Sequence, residues 1–305
     1  MKKVFDERHF LAKRPGHWLL DLYGVARAKL AEHGVTANCI SPGLYLKRCA
    51  SDWGGVVVVN LFLILSIVFL AAAMVLAAGL GKRMRPLTAT RPKPLIEVAG
   101  KPLIDHALER LRAAGVREAV VNVHYLADAV EAHLASRDLG LAIRVSDERK
   151  RLMETGGGLA RALPLIGADP FVAVNSDNLW IDGPVDSLKL LASGWDDARM
   201  DALLLLVPLA RAYCHGGRGD FHMDAAGALA RRKPRGVAPF VYTGVQILSK
   251  RLFDGASPDA PFSANLLWDR AIAAGRCFGA VHQGLWFDIG RPENIRRAEE
   301  ILREL

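Results

Sequence analysis

The stretch that decides the fold is Leu76–Leu95, LAAGLGKRMRPLTATRPKPL. It begins as the end of an apolar, strand-like run and continues into a loop rich in glycine and basic residues. Gly79 and Gly81 let the backbone approach a ligand closely, and successive N–H groups in such a turn form a concave anion site. Lys82 and Arg83 add positive charge. The dinucleotide fingerprint GxGxxG is not met, because Met84 stands where the third glycine belongs, and the GxxxxGK[ST] phosphate loop is not met either. By itself, a GxG after a strand is also compatible with a plain structural turn.

Downstream of the loop, short apolar strands alternate with amphipathic helices. AMVLAAG (73–79) reads as a strand. PLIDHALERLRAAG (102–115) places Leu103, Ile104, Ala107, Leu108 and Leu111 on one helical face and stops at Gly115. EAVVNVHYL (118–126) reads as a strand, ADAVEAHLA (127–135) as a helix and LAIRVSDE (141–148) as a strand. GGGLARALPLI (156–166) then reads as a helix and FVAVNSD (171–177) as a strand. This alternation predicts an α/β fold of Rossmann-like type, a mostly parallel sheet with helices on both faces. Ligands of such sheets collect at the carboxyl ends of the strands, so the loops after Ala78, Tyr125, Asp147 and Asp177 should surround one crevice. Beyond Asp201 the pattern changes to DALLLLVPLA (201–210), DFHMDAAGALARR (220–232) with a turn at Asp224–Gly227, and FVYTGVQIL (240–248). These are expected to supply a small lid of mixed strands, followed by a helix at NLLWDRAIAAG (265–275) and a last helix from about Pro292.

The 305 residues are 51% hydrophobic and 24% charged, enough for a substantial core. The formal net charge of +8 favours anionic partners without choosing among them. RRKPRG (231–236) is one short basic run without neighbouring aromatics, better explained as a solvated hairpin than as a nucleic-acid surface. The four cysteines, Cys39, Cys49, Cys214 and Cys277, are far apart and form no CxxC pair, which points to a reducing, cytoplasmic compartment without a zinc site or disulfide framework.

Ahead of the loop, the run from Val56 has only Asn60 and Ser66 as polar residues up to Ala78. Its part 56–73 is about eighteen residues, or roughly 27 Å as a helix, just long enough to cross a bilayer. Two readings stay open: a membrane anchor that ends where the first strand begins, or a β-branched strand starting at Val56–Val59. Residues 1–55 form an extension of unassigned role, with a helix expected at HWLLDLYGVARAKLAEHG (17–34) and a strand and turn at VTANCISPG (35–43). The start of the chain has basic residues but no apolar h-region behind them, unlike a signal peptide. A domain over 74–305 is therefore expected to carry the function.

The loop with its continuation, GLGKRMRPLTATRPKPLIEVAGKPLI, resembles the signature of the sugar-1-phosphate nucleotidyltransferases, GxGxRxxPxTxxxPKP, and matches every fixed position of it. METGGGLARALPLIG, FVAVNSDNLW, CHGGRGDFHMD, FVYTGVQIL and GLWFDIG extend the resemblance across 74–305, most closely to the branch of that family that joins UTP to N-acetylmuramate α-1-phosphate in cell-wall recycling. The resemblance implies a nucleotidyltransferase type A-like fold and a nucleotide site made of Ala78, Gly79, Gly81, Lys82, Arg83, Lys93, Gly156 and Gly157. It implies catalytic roles for Arg83, Lys93 and Asp177, magnesium held by Asp177 and Asp288, and contacts from Asn175 and Asp220 to the sugar phosphate. Ser176 stands where the family commonly has glycine. His124 reads as a packing residue, since the attacking phosphate needs no histidine base. Mannose or glucose 1-phosphate with another triphosphate, and a non-catalytic nucleotide-sugar sensor, are the rival readings.

Overall fold

In the computed structural model, residues 10–14, 17–20 and 71–304 are described. The chain divides into two units, Met1–Leu65 and Ser66–Leu305. In the first, strands β1 (Phe10–Arg14) and β2 (His17–Leu20) pair antiparallel, Phe10 opposite Leu20. The expected helix over 17–34 therefore does not start at His17: HWLL is strand. The rest of that helix, the segment 35–43 and residues 56–70 of the apolar run lie outside the described residues.

The first described strand of the second unit is β3 (Ala72–Leu76), which starts two residues before the expected boundary, so Ala72 and Ala73 belong to the sheet. After the loop and its short helical turns come β4 (Glu97–Val98), β5 (Lys101–Pro102) and α1 (Leu103–Ala113). Next are β6 (Glu118–Val123), α2 (Ala127–Ala135), β7 (Ala142–Asp147), α3 (Glu154–Ala162), β8 (Phe171–Asn175), β9 (Asn178–Ile181) and α4 (Ser187–Gly194). The second half holds β10 (Ala202–Pro208), β11 (Ala212–Tyr213), β12 (Phe221–Met223), β13 (Leu229–Arg231), β14 (Phe240–Leu248), α5 (Ala264–Ala273), β15 (Cys277–Val281), β16 (Leu285–Asp288) and α6 (Pro292–Arg303). Among the described residues no helix is long and apolar enough to cross a membrane.

Nine strands form one sheet, in which β7, β6, β3 and β8 run parallel as the alternation predicts. β14 enters antiparallel beside β8, β10 pairs antiparallel with β14, and β15 pairs parallel with β10. The pairings give β14 and β13 a direction opposite to the rest, so the sheet is mixed but mostly parallel. Ala202–Pro208 and Phe240–Leu248 thus continue the main sheet instead of lying over it. The small mixed sheet is assembled elsewhere, from β11, β16 and β9. β14 changes neighbour along its length, pairing with β12 at Phe240 and with β8 from Val245 onward. The change falls at Gly244, whose φ is +85°.

Burial on both faces explains the nearly continuous apolar runs of these strands. Ala73, Val75, Val172, Val174, Leu203 and Leu205 pack on the face covered by α1, α2 and α4. Met74, Phe171, Ala173, Leu204 and Leu206 pack on the other face with residues of α3 and α5. A smaller cluster, including Met84, Leu179, Phe287, Ile289 and Ala298, fixes the loop after β3 and α6 around the small sheet.

Candidate active site

The loop leaving β3 reverses at Gly81, which has φ 59° and ψ 27°. A Cβ here would lie 2.9 Å from the methyl carbon of Thr88 and 3.1 Å from Cβ of Lys93. Buried Thr88 donates its hydroxyl to the Gly81 carbonyl at 2.8 Å and closes the turn. Gly79 is different: nothing lies within 4 Å of the position its Cβ would take. With Ala77 and Ala78 it borders a cleft of ≈ 200 Å³, whose other walls include Lys93, Asn122, Glu154, Thr155, Asn175, Ser176 and Asp177. The ends of β3, β6 and β8 and the start of α3 border this crevice, so the segments at Ala78 and Asp177 meet there as expected, whereas the loop after Tyr125 is not among its walls.

Lys93 is only 9% exposed, and its ammonium pairs with the Asp177 carboxylate. A buried cation without such a partner would carry a desolvation cost of several kcal/mol. The Lys93–Asp177 pair spans the cleft from the PKP segment to the end of β8. Beside it, the Tyr242 hydroxyl has no hydrogen-bond partner among the described residues, and its pKa is held well above the usual value by burial and by the Asp177 charge.

A second cavity, ≈ 440 Å³, is lined by Arg83, His215, Asp288, Arg291 and Asn294 together with Cys214 and three glycines. His215 Nδ1 lies 3.1 Å from Asp288 Oδ2, and Asn294 Nδ2 donates to the Asp288 carbonyl at 2.8 Å. A Cβ on Gly290 would meet Asp288 Oδ1 at 2.9 Å and Arg83 Nη1 at 3.7 Å, so the loop arginine and this carboxylate are neighbours above a bare backbone. The two cavities are linked through the small sheet. Asp288 pairs with Asn178, the residue that follows Asp177, so the backbones of the two aspartates lie one pairing apart although their side chains line different cavities.

Asp177, in the turn between β8 and β9, and Asp288, at the end of β16, each offer carboxylate oxygens as donors. That suits magnesium, which is ordinarily held by one or two carboxylates with water and phosphate oxygens completing its shell. Among the described residues no group of three or more His, Cys, Asp or Glu side chains is placed to hold an ion by itself.

Other residues singled out in the sequence are placed differently. The amides of Gly156 and Gly157 both donate to the Phe262 carbonyl, at 2.8 and 3.0 Å. A Cβ on Gly156 would strike the Phe262 ring at 2.4 Å and one on Gly157 the Ala260 carbonyl oxygen at 2.6 Å. Their close approach is to protein, and Glu154 and Thr155 border the cleft in their stead. Asp220 accepts the Tyr242 amide at 2.9 Å and ties β12 to β14, outside both cavities. Lys82 is exposed on the loop's short helical turn. His124 contacts the Glu148 carbonyl through Nδ1 at 2.7 Å, a packing role as expected.

Sequence reasoning passed over a buried network behind the cleft. Asn122 Oδ1 accepts the Ala77 amide at 2.7 Å, and its Nδ2 donates to Glu148 Oε1 at 2.7 Å. The other oxygen of Glu148 accepts the Met153 amide at 3.1 Å. The backbone entering the glycine loop is thereby tied to the backbone entering α3. Burial raises the Glu148 pKa against the lowering effect of these two bonds. Gly158 makes room for the network, since its Cβ would lie 2.8 Å from both Asn122 Nδ2 and Glu148 Oε1. The available signal was a lone Asn inside the apolar strand VVNV, because a buried polar group must find partners.

A cleft at the strand ends, walled by a tight glycine loop and a buried lysine and adjoined by two arginines and two aspartates, is the architecture of an enzyme that handles phosphorylated nucleotides. Residues 72–216 match the family model described as Nucleotidyl transferase. The chain is 48% identical over 236 residues to the N-acetylmuramate alpha-1-phosphate uridylyltransferase of Caulobacter vibrioides, covering 76% of this chain and 97% of that protein. It is 36% identical over 230 residues to the protein of the same name from Neisseria meningitidis serogroup B, covering 75% and 97%. Among solved structures, HddC from Yersinia pseudotuberculosis superposes with a TM-score of 0.63 at 24% identity, over 76% of this chain and 100% of that one, a likeness of fold. The chain belongs to the sugar-1-phosphate nucleotidyltransferase family.

Proposed function

We propose that the chain transfers the uridylyl group of UTP to N-acetylmuramate α-1-phosphate, releasing pyrophosphate and forming UDP-N-acetylmuramate. The observation that carries this reading is the 48% identity to the Caulobacter vibrioides protein of that name, which extends over 236 residues, 76% of this chain and 97% of that protein.

In this reading a phosphate oxygen of the sugar 1-phosphate attacks the α-phosphorus of UTP in line. The bond from that phosphorus to the α,β-bridging oxygen breaks, and pyrophosphate leaves with its electron pair. The nucleophile is already an anion, so positioning and charge neutralisation carry the rate and no strong base is required. Gly79 and Ala78 admit the triphosphate against bare backbone. Lys93, poised on Asp177, supplies positive charge at the phosphates, and Arg83 offsets the charge that builds on the departing pyrophosphate. Asn175 borders the cleft, where it would contact the sugar phosphate. Asp177 and Asp288 would hold Mg²⁺, which when bound neutralises phosphate oxygens. Free Cys214 and Cys277 fit a reducing, cytoplasmic setting.

The test is a panel of UTP and GTP against N-acetylmuramate, glucose and mannose 1-phosphates, followed by pyrophosphate release in the presence of Mg²⁺. The reading requires the UTP and muramate pair to be used best. Preference for GTP with mannose 1-phosphate would overturn it, and so would absence of turnover with every pair.

A further inference from the structure

We infer that Arg291 is the specificity-determining residue for an acidic sugar, binding the carboxylate of the substrate while Arg83 serves the phosphates. This inference rests on the function proposed above, because it concerns which sugar phosphate enters the same site.

The argument starts from charge. The second cavity holds two guanidinium groups, Arg83 and Arg291, and one carboxylate, Asp288. Asp288 is already engaged by His215 and sits beside Arg83 over Gly290. Among the described residues neither Arg83 nor Arg291 has a hydrogen-bond or ion-pair partner. Some arginines of the same unit are paired, as Arg110 is with Asp182, Arg231 with Asp269 and Arg251 with Asp201, and Arg83 and Arg291 differ from others unpaired among the described residues, such as Arg85 and Arg117, in lining a cavity. Arg83 and Arg291 face one cavity while Asp288 is taken up by His215, so a second guanidinium stands open beside the one that serves the phosphates.

Geometry adds a reason for Arg291 in particular. It precedes Pro292, the first residue of α6, with an extended backbone at φ −144° and ψ 155°. A following proline disfavours the helical region for such a residue, so the root of the side chain is held at the cavity rim. An arginine fork suits a carboxylate, which it can bind through two parallel charge-assisted hydrogen bonds.

N-acetylmuramate α-1-phosphate carries two separate anionic groups, the 1-phosphate and the carboxylate of its lactyl arm. N-acetylglucosamine 1-phosphate is the same sugar without that arm. The pair isolates the carboxylate, and with UTP it tests the inference directly.

The experiment measures kcat and KM for both sugar phosphates in the full-length wild type, Arg291→Gln and Arg291→Lys. Melting temperatures confirm that the variants fold, as expected for an exposed side chain without a protein partner. Wild type should prefer the muramate. Arg291→Gln should lower the ratio of kcat/KM for the muramate to that for the glucosamine by about 10- to 100-fold, chiefly through the KM of the muramate. Arg291→Lys should keep part of the preference, since the charge remains and the fork is lost. An unchanged ratio in Arg291→Gln, or a wild type without preference between the sugars, overturns the inference while uridylyl transfer stands. An equal loss on both sugars assigns Arg291 to the phosphate and also overturns it. A wild type that turns over neither sugar with UTP overturns the proposed function and the inference together.

Discussion

Substituting Gly81 by alanine tests the glycine loop through stability as well as activity. The residue sits at φ 59°, where an L-residue is disfavoured by about 1–2 kcal/mol. The added methyl would lie 2.9 Å from the Thr88 methyl carbon and 3.1 Å from Lys93 Cβ. Thr88 cannot simply rotate away, because its hydroxyl is committed to the Gly81 carbonyl at 2.8 Å and the side chain is buried. Overpacking of this kind costs about 1–3 kcal/mol. The two terms together give a loss of about 2–5 kcal/mol. For a domain of this size that corresponds to a melting temperature lower by about 4–20 °C. Relief of the contact must displace Lys93, so the KM for UTP should rise as well. Gly79→Ala is the matched control: its φ is not in the left-handed region and its methyl would meet nothing within 4 Å. It should leave the melting temperature within about 2 °C of wild type, surface substitutions staying near ±0.5 kcal/mol. Its methyl would still stand in the nucleotide's path and raise the KM for UTP. Calorimetric melting and initial rates of the two variants refute the reasoning if Gly81→Ala melts with the wild type, or if Gly79→Ala is the less stable of the pair.

At Gly244, φ is +85° and a Cβ would fall 1.8 Å from Asn178 Nδ2, so Gly244→Ala should destroy the junction of β14 with β8; soluble protein melting within a few degrees of wild type would contradict the account. The Glu148 pKa is raised by burial, so the folded state holds this proton more tightly than the unfolded state. The group's contribution to stability is therefore greatest below its ordinary pKa and falls as pH rises from there through the raised value. The urea midpoint of wild type minus that of Glu148→Gln should decline over that interval and then level, whereas a flat difference would remove Glu148 from the balance. The Cys277 thiol is 1% exposed, with a pKa pushed up to about 12 by burial. Peptide mapping after alkylation at pH 8 should find it unmodified in the native protein and modified once urea unfolds the chain.

The parallel half of the fold was legible because its elements are separate, periodic and in sequence order. ADAVEAHLA and FVYTGVQIL were read with the bounds the structure gives them. What the sequence did not reveal was where FVYTGVQIL goes, since insertion of an antiparallel strand between β8 and β10 leaves no periodic mark. The run of Gly156 to Gly158 announces a close backbone approach but not to what, and here it is to Phe262, Ala260, Asn122 and Glu148. Arg83, Lys93, Asp177 and Asp288 were found as a pattern. Their division between two cavities depends on the β9–β16 register, which joins segments more than a hundred residues apart. His215 has no role legible from CHGGRGDFHMD, because its neighbour Asp288 is distant in sequence.

The most direct test of the central claim, that Asp177 and Asp288 serve one cation, is Mn²⁺ binding followed by electron paramagnetic resonance with a non-hydrolysable UTP analogue. Wild type, Asp177→Asn and Asp288→Asn would be titrated in parallel. The account predicts one tightly bound ion per wild-type chain, with affinity weakened in each variant while both keep the wild-type melting transition. Undiminished Mn²⁺ affinity in Asp288→Asn would contradict it.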